Sequence, residues 1–275
     1  MKKRRAGGMI TYLVLAINAA VVIMPLIWVV ITSFKTNKEY VMNSYALPQH
    51  WEFDNFTKAF NQINMPILFK NSIVVCCLSV VIVILITAMA AYVIARFNFK
   101  FGKFCNTYFI IGMMIPLNSA IIPLFISFSK LKLTNSLLGL VIPYVAFQIP
   151  MGIFLIGNYM RSLPNELEES AMIDGCSSVK IFYKIIFPLC KPIFATFGII
   201  TFITNWNEFL FALVLLTSPE YQTIPIGLAS FKGEHSFDTP VMLAAVLMTI
   251  IPVIILYIAF HKQIISGMTS GAVKG

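Results

Sequence analysis

The stretch EESAMIDGCSSVKIFYKIIFP runs from Glu168 to Pro188. It sets a packet of charges and one glycine inside a chain of 275 residues that is 59% hydrophobic and only 11% charged. Just upstream, Pro164 suits the first position of a helix, where its missing N–H is no loss. Glu166, Glu168 and Glu169 fall in the first turns, where negative charge complements the helix dipole. Gly175 permits a sharp reversal through a left-handed backbone. Lys180 to Phe187 resumes a helical pattern, and Pro188 and Pro192 break it. The expectation is a polar hairpin, at about residues 161–191, made of two short helices joined by a turn.

What lies on either side of the hairpin is oil. Mean hydropathy is +0.85, and soluble domains carry about twice this share of charge. Lipid must therefore be the solvent for much of the surface. A membrane helix needs about 20 mostly apolar residues. Charge-free stretches of that kind are Ala6–Phe34, Asn71–Ala95, Phe104–Ser129, Leu133–Met160 and Thr239–Phe260. A sixth, Pro192–Pro219, holds a single charge, Glu208. The fold class is thus an all-α membrane protein with six spans in one domain, residues 1–275. Pro116, Pro123, Pro143, Pro150 and Pro252 lie within spans, where neighbouring helices can satisfy the freed backbone groups. The first span begins after Met-Lys-Lys-Arg-Arg. It lacks an Ala-x-Ala site near its end, and it reads as an uncleaved helix rather than a signal peptide.

Lys and Arg orient the spans. With the N-terminus in the cytoplasm, 13 of the 20 basic residues fall inside and 7 outside, the bias expected of a cell-membrane protein. Both termini and the hairpin are then cytoplasmic. Because the basic residues lie between apolar blocks rather than along one face, they read as topology signals and not as a nucleic-acid surface. The outer segments, 35–70 and 219–238, are too short to be folded extracytoplasmic domains.

Several chemistries find no support. No Gly-x-x-x-x-Gly-Lys-[Ser/Thr] run is present, so no phosphate-cradling loop for ATP is expected. His50, His235 and His261 are scattered. Cys76, Cys77, Cys105, Cys176 and Cys190 show no metal-ligand spacing, so neither a metal site nor a disulfide is expected. With no fuel-binding pocket, energy would come from an ion gradient or from another subunit. Buried polar groups in lipid are costly and mark pathways, and amides and acids suit hydroxyl-rich ligands. Asn205, Asn207 and Glu208 are therefore candidates for a translocation path, and helix-to-helix hydrogen bonding is the competing role. Asn118 and Gln148 are poorer candidates.

The hairpin resembles the cytoplasmic E-A-A signature of binding-protein-dependent ABC transporter permeases. That signature is E-A-A, three residues, Gly, nine residues, then I-x-L-P. Glu169, Ser170 and Ala171 stand for E-A-A, Gly175 follows at the required gap, and Ile185, Phe187 and Pro188 stand for the close. Ser170 and Phe187 depart from the pattern. Asp174 before the glycine matches the sugar-type form. The segment from Asn205 to Phe231 resembles the fifth-helix and outer-loop region of carbohydrate permeases. The tail from Ser266 to Gly275 resembles the end of the smaller permease of maltose-type systems.

This resemblance implies the transmembrane permease subunit of an ATP-driven sugar or oligosaccharide importer, itself without catalytic residues. It implies a second permease as partner, two ATP-binding subunits that use ATP and Mg, an extracytoplasmic solute-binding protein, and membrane lipid; no nucleic acid is involved. Glu169, Ser170, Ala171, Asp174, Gly175, Ile185 and Pro188 would form the coupling element that meets an ATPase subunit. The chain itself would hold no cofactor. Two other readings stay open on the residues: an ABC permease for a non-sugar solute, and a proton-coupled carrier using Glu208.

Overall fold

The computed structural model describes residues 2–231 and 238–272, with side chains for 11–231 and 238–261. Lys232, His235 and the side chains of the Ser266–Gly275 tail lie outside the described residues. The described chain contains helices and no strand. The helices are α1 (Lys2–Ser33), α2 (Asn37–Met42), α3 (Asp54–Gln62), α4 (Met65–Arg96), α5 (Gly102–Gly112), α6 (Ile121–Lys130), α7 (Leu137–Ser162), α8 (Glu166–Ile173), α9 (Ser178–Ile181), α10 (Phe187–Leu189), α11 (Lys191–Trp206), α12 (Leu210–Leu215), α13 (Ile224–Ser230) and α14 (Thr239–Ala272).

Among the described residues, four helices alone are long and apolar enough to cross a membrane, and bent pairs raise the number to six. The four are α1, α4, α7 and α14. At 32 residues, α4 is about 48 Å long and outreaches a hydrocarbon core of about 30 Å. The expected third span is not one helix: α5 and the Leu117–Lys130 segment meet at 89°. Pro116 explains the break. It lacks an N–H and drives the preceding residue out of the helical region, and it adopts ψ 127° itself. By contrast Pro143 and Pro150 sit inside an unbroken α7. The second bent pair is Ser178–Leu189 with Lys191–Trp206, at 70°, and the expected fifth span consists of α11 and α12 with residues 207–209 between them.

Two compact units are distinguished, one of residues 1–66 and 227–251, the other of 67–226 and 252–275. In the first, the segment after α1 folds back on itself. Lys35 is fully buried and its Nζ donates to the carbonyls of Asn43 and Ser44 at 3.1 and 2.9 Å. Burial pushes its ammonium below the ordinary lysine value, an effect that the Glu39 carboxylate opposes. Thr36 and Glu39 form a reciprocal capping box on α2, which satisfies two otherwise orphaned N–H groups. Asn55 donates to the carbonyls of Ser33 and Lys35 at 2.9 and 2.8 Å. Phe34 meets the rings of Trp51, Phe53 and Phe56 at 5.1–5.3 Å.

The second unit packs α4, α7, α11 and α12 around a shared apolar core that includes Val83, Tyr144, Ile156, Phe197 and Phe211. Gly152 on α7 is where side chains of α4 and α11 press against its backbone. A Cβ there would lie 2.6 Å from Thr87 of α4 and 2.7 Å from Phe197 of α11. Small residues serve this purpose wherever membrane helices cross tightly.

Candidate functional site

The polar hairpin is a built object. Helix α8 ends in a Schellman turn: the Gly175 N–H donates to Met172 O at 3.0 Å and the Cys176 N–H to Ala171 O at 2.9 Å. Gly175 has φ +76°, a region that costs other residues about 1–2 kcal/mol. No atom lies within 4 Å of where its Cβ would be, so backbone conformation alone demands glycine there. Ser177 then caps α9 by accepting from the Lys180 N–H. The coil widens into a π turn over Phe182–Ile186 before α10. Pro188 lies in the first turn of α10, where its missing N–H is harmless.

One face of the hairpin joins the core. Ala171, Ile181, Phe182 and Ile186 are buried in the same cluster as α4 and α11. A ladder of rings runs from Tyr92 on α4 to Phe182 (5.0 Å), Phe187 (5.7 Å) and Phe194 on α11 (4.7 Å). Burying each of Ile181, Phe182 and Ile186 contributes about 1.5–3 kcal/mol relative to water.

A second attachment was not visible in the sequence. Arg96, the last residue of α4, reaches across to the hairpin. Its guanidinium donates to Leu163 O at 3.0 Å and to the Asn165 side chain. Its Nε lies 2.9 Å from Glu168 Oε1, with side chains only 5% and 10% exposed. That approach lacks the alignment of a hydrogen bond, so the contact is charge against charge. Burial pushes the Glu168 carboxyl above the ordinary glutamate value, and Arg96 opposes the shift. The pair is therefore one whose separation would leave a charge stranded.

The other face is open. Glu166, Glu169, Ser170 and Asp174 are exposed. So are the apolar side chains of Met172 (54%), Ile173 (87%) and Val179 (67%). Of the residues singled out in the signature, Glu169, Ser170, Asp174 and Pro188 thus face outward, Gly175 makes the turn, Ala171 points into the core and Ile185 is half-buried.

Asn205, Asn207 and Glu208 lie together at the α11–α12 break but are not equally free. Both Glu208 oxygens are occupied. Oε1 accepts from the Phe211 N–H at 2.8 Å; Oε2 accepts from the Ala212 N–H at 3.2 Å and from the Tyr144 hydroxyl at 2.7 Å. The carboxylate therefore caps α12 and ties it to α7. Asn207 donates to Ile203 O at 2.8 Å, back along its own helix. Asn205 is buried, and its Nδ2 has no hydrogen-bond partner among the described residues. Among the described residues no group of three His, Cys, Asp or Glu is placed to hold a metal ion.

Comparison with known proteins gives a consistent result. Residues 82–264 match the family described as binding-protein-dependent transport system inner membrane component. The putative ABC transporter permease protein ORF2 of Caldicellulosiruptor sp. is 37% identical over 265 residues, 96% of each chain. The diacetylchitobiose uptake system permease protein NgcG of Streptomyces coelicolor is 32% identical, covering 98% of this chain and 90% of that one. The trehalose/maltose transport system permease protein MalG of Thermococcus litoralis is 34% identical, covering 94% and 93%. Among solved structures, a chain from a bacterial ABC transporter that imports the acidic polysaccharide alginate superposes with TM-score 0.81 at 24% identity, covering 95% and 98%. At that identity the similarity is one of fold.

Proposed function

The chain belongs to the family of binding-protein-dependent transport system inner membrane components, and from that premise we propose that ATP-binding subunits move it through the open face of the 163–189 hairpin. It is a permease of the carbohydrate type, with relatives named for the uptake of diacetylchitobiose, arabinooligosaccharides and galactooligosaccharides. Its substrate class is accordingly sugars and short oligosaccharides.

The observation that carries the mechanism is the hairpin's two-sidedness. Its inner face is fastened to α4 and α11 by the aromatic ladder and by Arg96. Its outer face presents Met172, Ile173 and Val179 without cover. Apolar side chains rimmed by acids, on a rigid short element, suit the cleft of a partner protein. Glu169 and Asp174 stand where a basic residue of that partner would meet them. A displacement of the partner is then delivered to α4 through Arg96 and to α11 through Phe187, two helices that share the core of their unit. Nucleotide and Mg belong to that partner.

The remaining subunits follow from the same reading. A second permease completes the pathway, and a solute-binding protein supplies sugar from the outer side. Both termini and the hairpin are cytoplasmic. At the α11–α12 break, the unpaired Asn205 amide nitrogen and the exposed Asn207 amide have hydrogen-bonding capacity left for a sugar hydroxyl. Because both Glu208 oxygens are already committed, a proton-carrying role there is disfavoured.

Uptake into membrane vesicles tests the class. Labelled oligosaccharide should enter only with ATP on the hairpin side and binding protein on the other. Uptake driven by a proton gradient alone would overturn the proposal.

A further inference from the structure

The end of the second unit that carries the hairpin holds another feature, separate from the coupling surface. A cavity of about 960 Å³ opens between the α4–α5 connection and the end of α7. Three cations line it: Lys100, Lys103 and Arg161. No acid does. Among the described residues the only ion pair is Arg96 with Glu168, so none of these three charges is neutralised. Arg161 is nonetheless held in place, donating to Asn158 at 2.9 Å and to Asn106 at 3.0 Å. Asn106 and Thr107 add polar atoms to the wall. Cations converging on one cleft, with neutral partners only, form a focused positive field that draws an anion.

The same two helices also line an apolar cavity. Farther along α5 and α7 lies a cavity of about 330 Å³ lined by Tyr108, Ile111, Gly112, Phe147 and Pro150 among others. Helix α5 lines both cavities, with Gly102, Lys103, Asn106 and Thr107 in the first and Tyr108, Phe109, Ile111 and Gly112 in the second. From Lys103 to Gly112 the helix rises about 14 Å, close to one leaflet of a core about 30 Å thick. Phe101, Phe104 and Tyr108 stand 63–67% exposed beside the cationic end, as aromatic side chains do at a membrane interface.

We propose that the α5–α7 groove is a binding site for an anionic phospholipid, its phosphate among Lys100, Lys103 and Arg161 and an acyl chain along the apolar furrow at Gly112. A soluble phosphate or nucleotide would use the cations and leave the furrow without a role. A phospholipid uses both, and basic pockets at the ends of membrane helices are suited to such headgroups.

The full-length chain is purified in detergent with the subunits it assembles with and titrated with phosphatidylglycerol or phosphatidylcholine, bound lipid being counted by native mass spectrometry. Phosphatidylglycerol should bind more tightly than phosphatidylcholine. Lys100→Gln and Lys103→Gln, both at exposed positions, should each weaken it about fivefold, and adding Arg161→Gln should bring the loss to about 100-fold. Gly112→Leu should remove the advantage of long-chain over dihexanoyl phosphatidylglycerol while keeping the headgroup preference. Equal binding of the two lipids overturns the proposal. So does competition by inorganic phosphate or ATP equal to that of the lipid, which marks a soluble-anion site. Unchanged lipid binding by the Lys100→Gln/Lys103→Gln double variant, with or without loss of a subunit from the complex, also overturns it.

Discussion

The segment from Lys35 to Gln62 and the hairpin from Leu163 to Leu189 are both polar interruptions of an apolar chain, yet one is closed by its own polar contacts and the other is anchored to neighbouring helices. In the first, a buried lysine meets two carbonyls, a buried asparagine meets two more, and a capping box closes α2. In the second, only the inner side is finished in this way, by Arg96 and the ring ladder. Its outer side leaves an isoleucine 87% exposed. The first segment also leaves large apolar side chains bare, Met42 at 85% and Tyr45 at 84%. What sets the hairpin apart is its anchorage to α4 and α11, which lets a load on its bare side reach two helices of the core.

The largest effect should come from cutting the clamp. Arg96→Ala strands the Glu168 charge and should destabilise the hairpin by about 3–5 kcal/mol, read as faster proteolysis between residues 163 and 189. Adding Glu168→Leu should recover most of the loss. If Arg96→Ala is as resistant as the parent, the hairpin is not held from α4 and the contrast with the outer segment weakens. Next comes the open face. Ile173→Asp should leave the chain's own unfolding within about 0.5 kcal/mol, as exposed substitutions do. It should weaken association with the ATP-binding subunit by about 2 kcal/mol or more, some thirtyfold. A pull-down titration decides, and undiminished association removes the docking role from this face.

Gly175 sharpens the comparison further. Because the space around it is empty, Gly175→Ala should cost about 1–2 kcal/mol through φ alone, and Gly175→Asn distinctly less, since asparagine tolerates that region. Thermal unfolding beside sugar uptake would show both falling in that order. Were alanine harmless to stability and ruinous to uptake, the empty space would belong to the partner. The smallest effect is expected in the closed segment: Thr36→Ala should cost about 1 kcal/mol as a lost cap and leave uptake at its parental rate.

The hairpin was legible in the sequence because its code is local. Acids at a helix start, a glycine at the end and a serine cap all act within a few residues. Arg96 was not legible as its anchor. Its partners are dozens of residues away on another element, and as a basic residue at the end of a span it is equally a topology signal. The prolines teach the same lesson. Pro116 breaks a span and Pro150 does not, and the difference rests on neighbours that composition does not reveal. At the α11–α12 break, the sequence marked Glu208 as an unusual charge in lipid. It did not reveal that Tyr144 and two backbone amides fill its oxygens.

The π turn over Phe182–Ile186 has a geometric consequence. There the Phe187 N–H reaches back five residues to Phe182 O, one more than a regular helix allows. A single residue subtends about 100° of azimuth on an α-helix. The wide turn takes up one residue more than an α turn, so deleting one within 182–186 would let the coil close to an ordinary spiral and spare the residues before it the quarter-revolution that a deletion in a regular helix imposes. Val179 and Ile173 would then keep close to the bearing they hold now. The wide turn is thus the place in the hairpin where the count of residues can change by one without turning the docking edge.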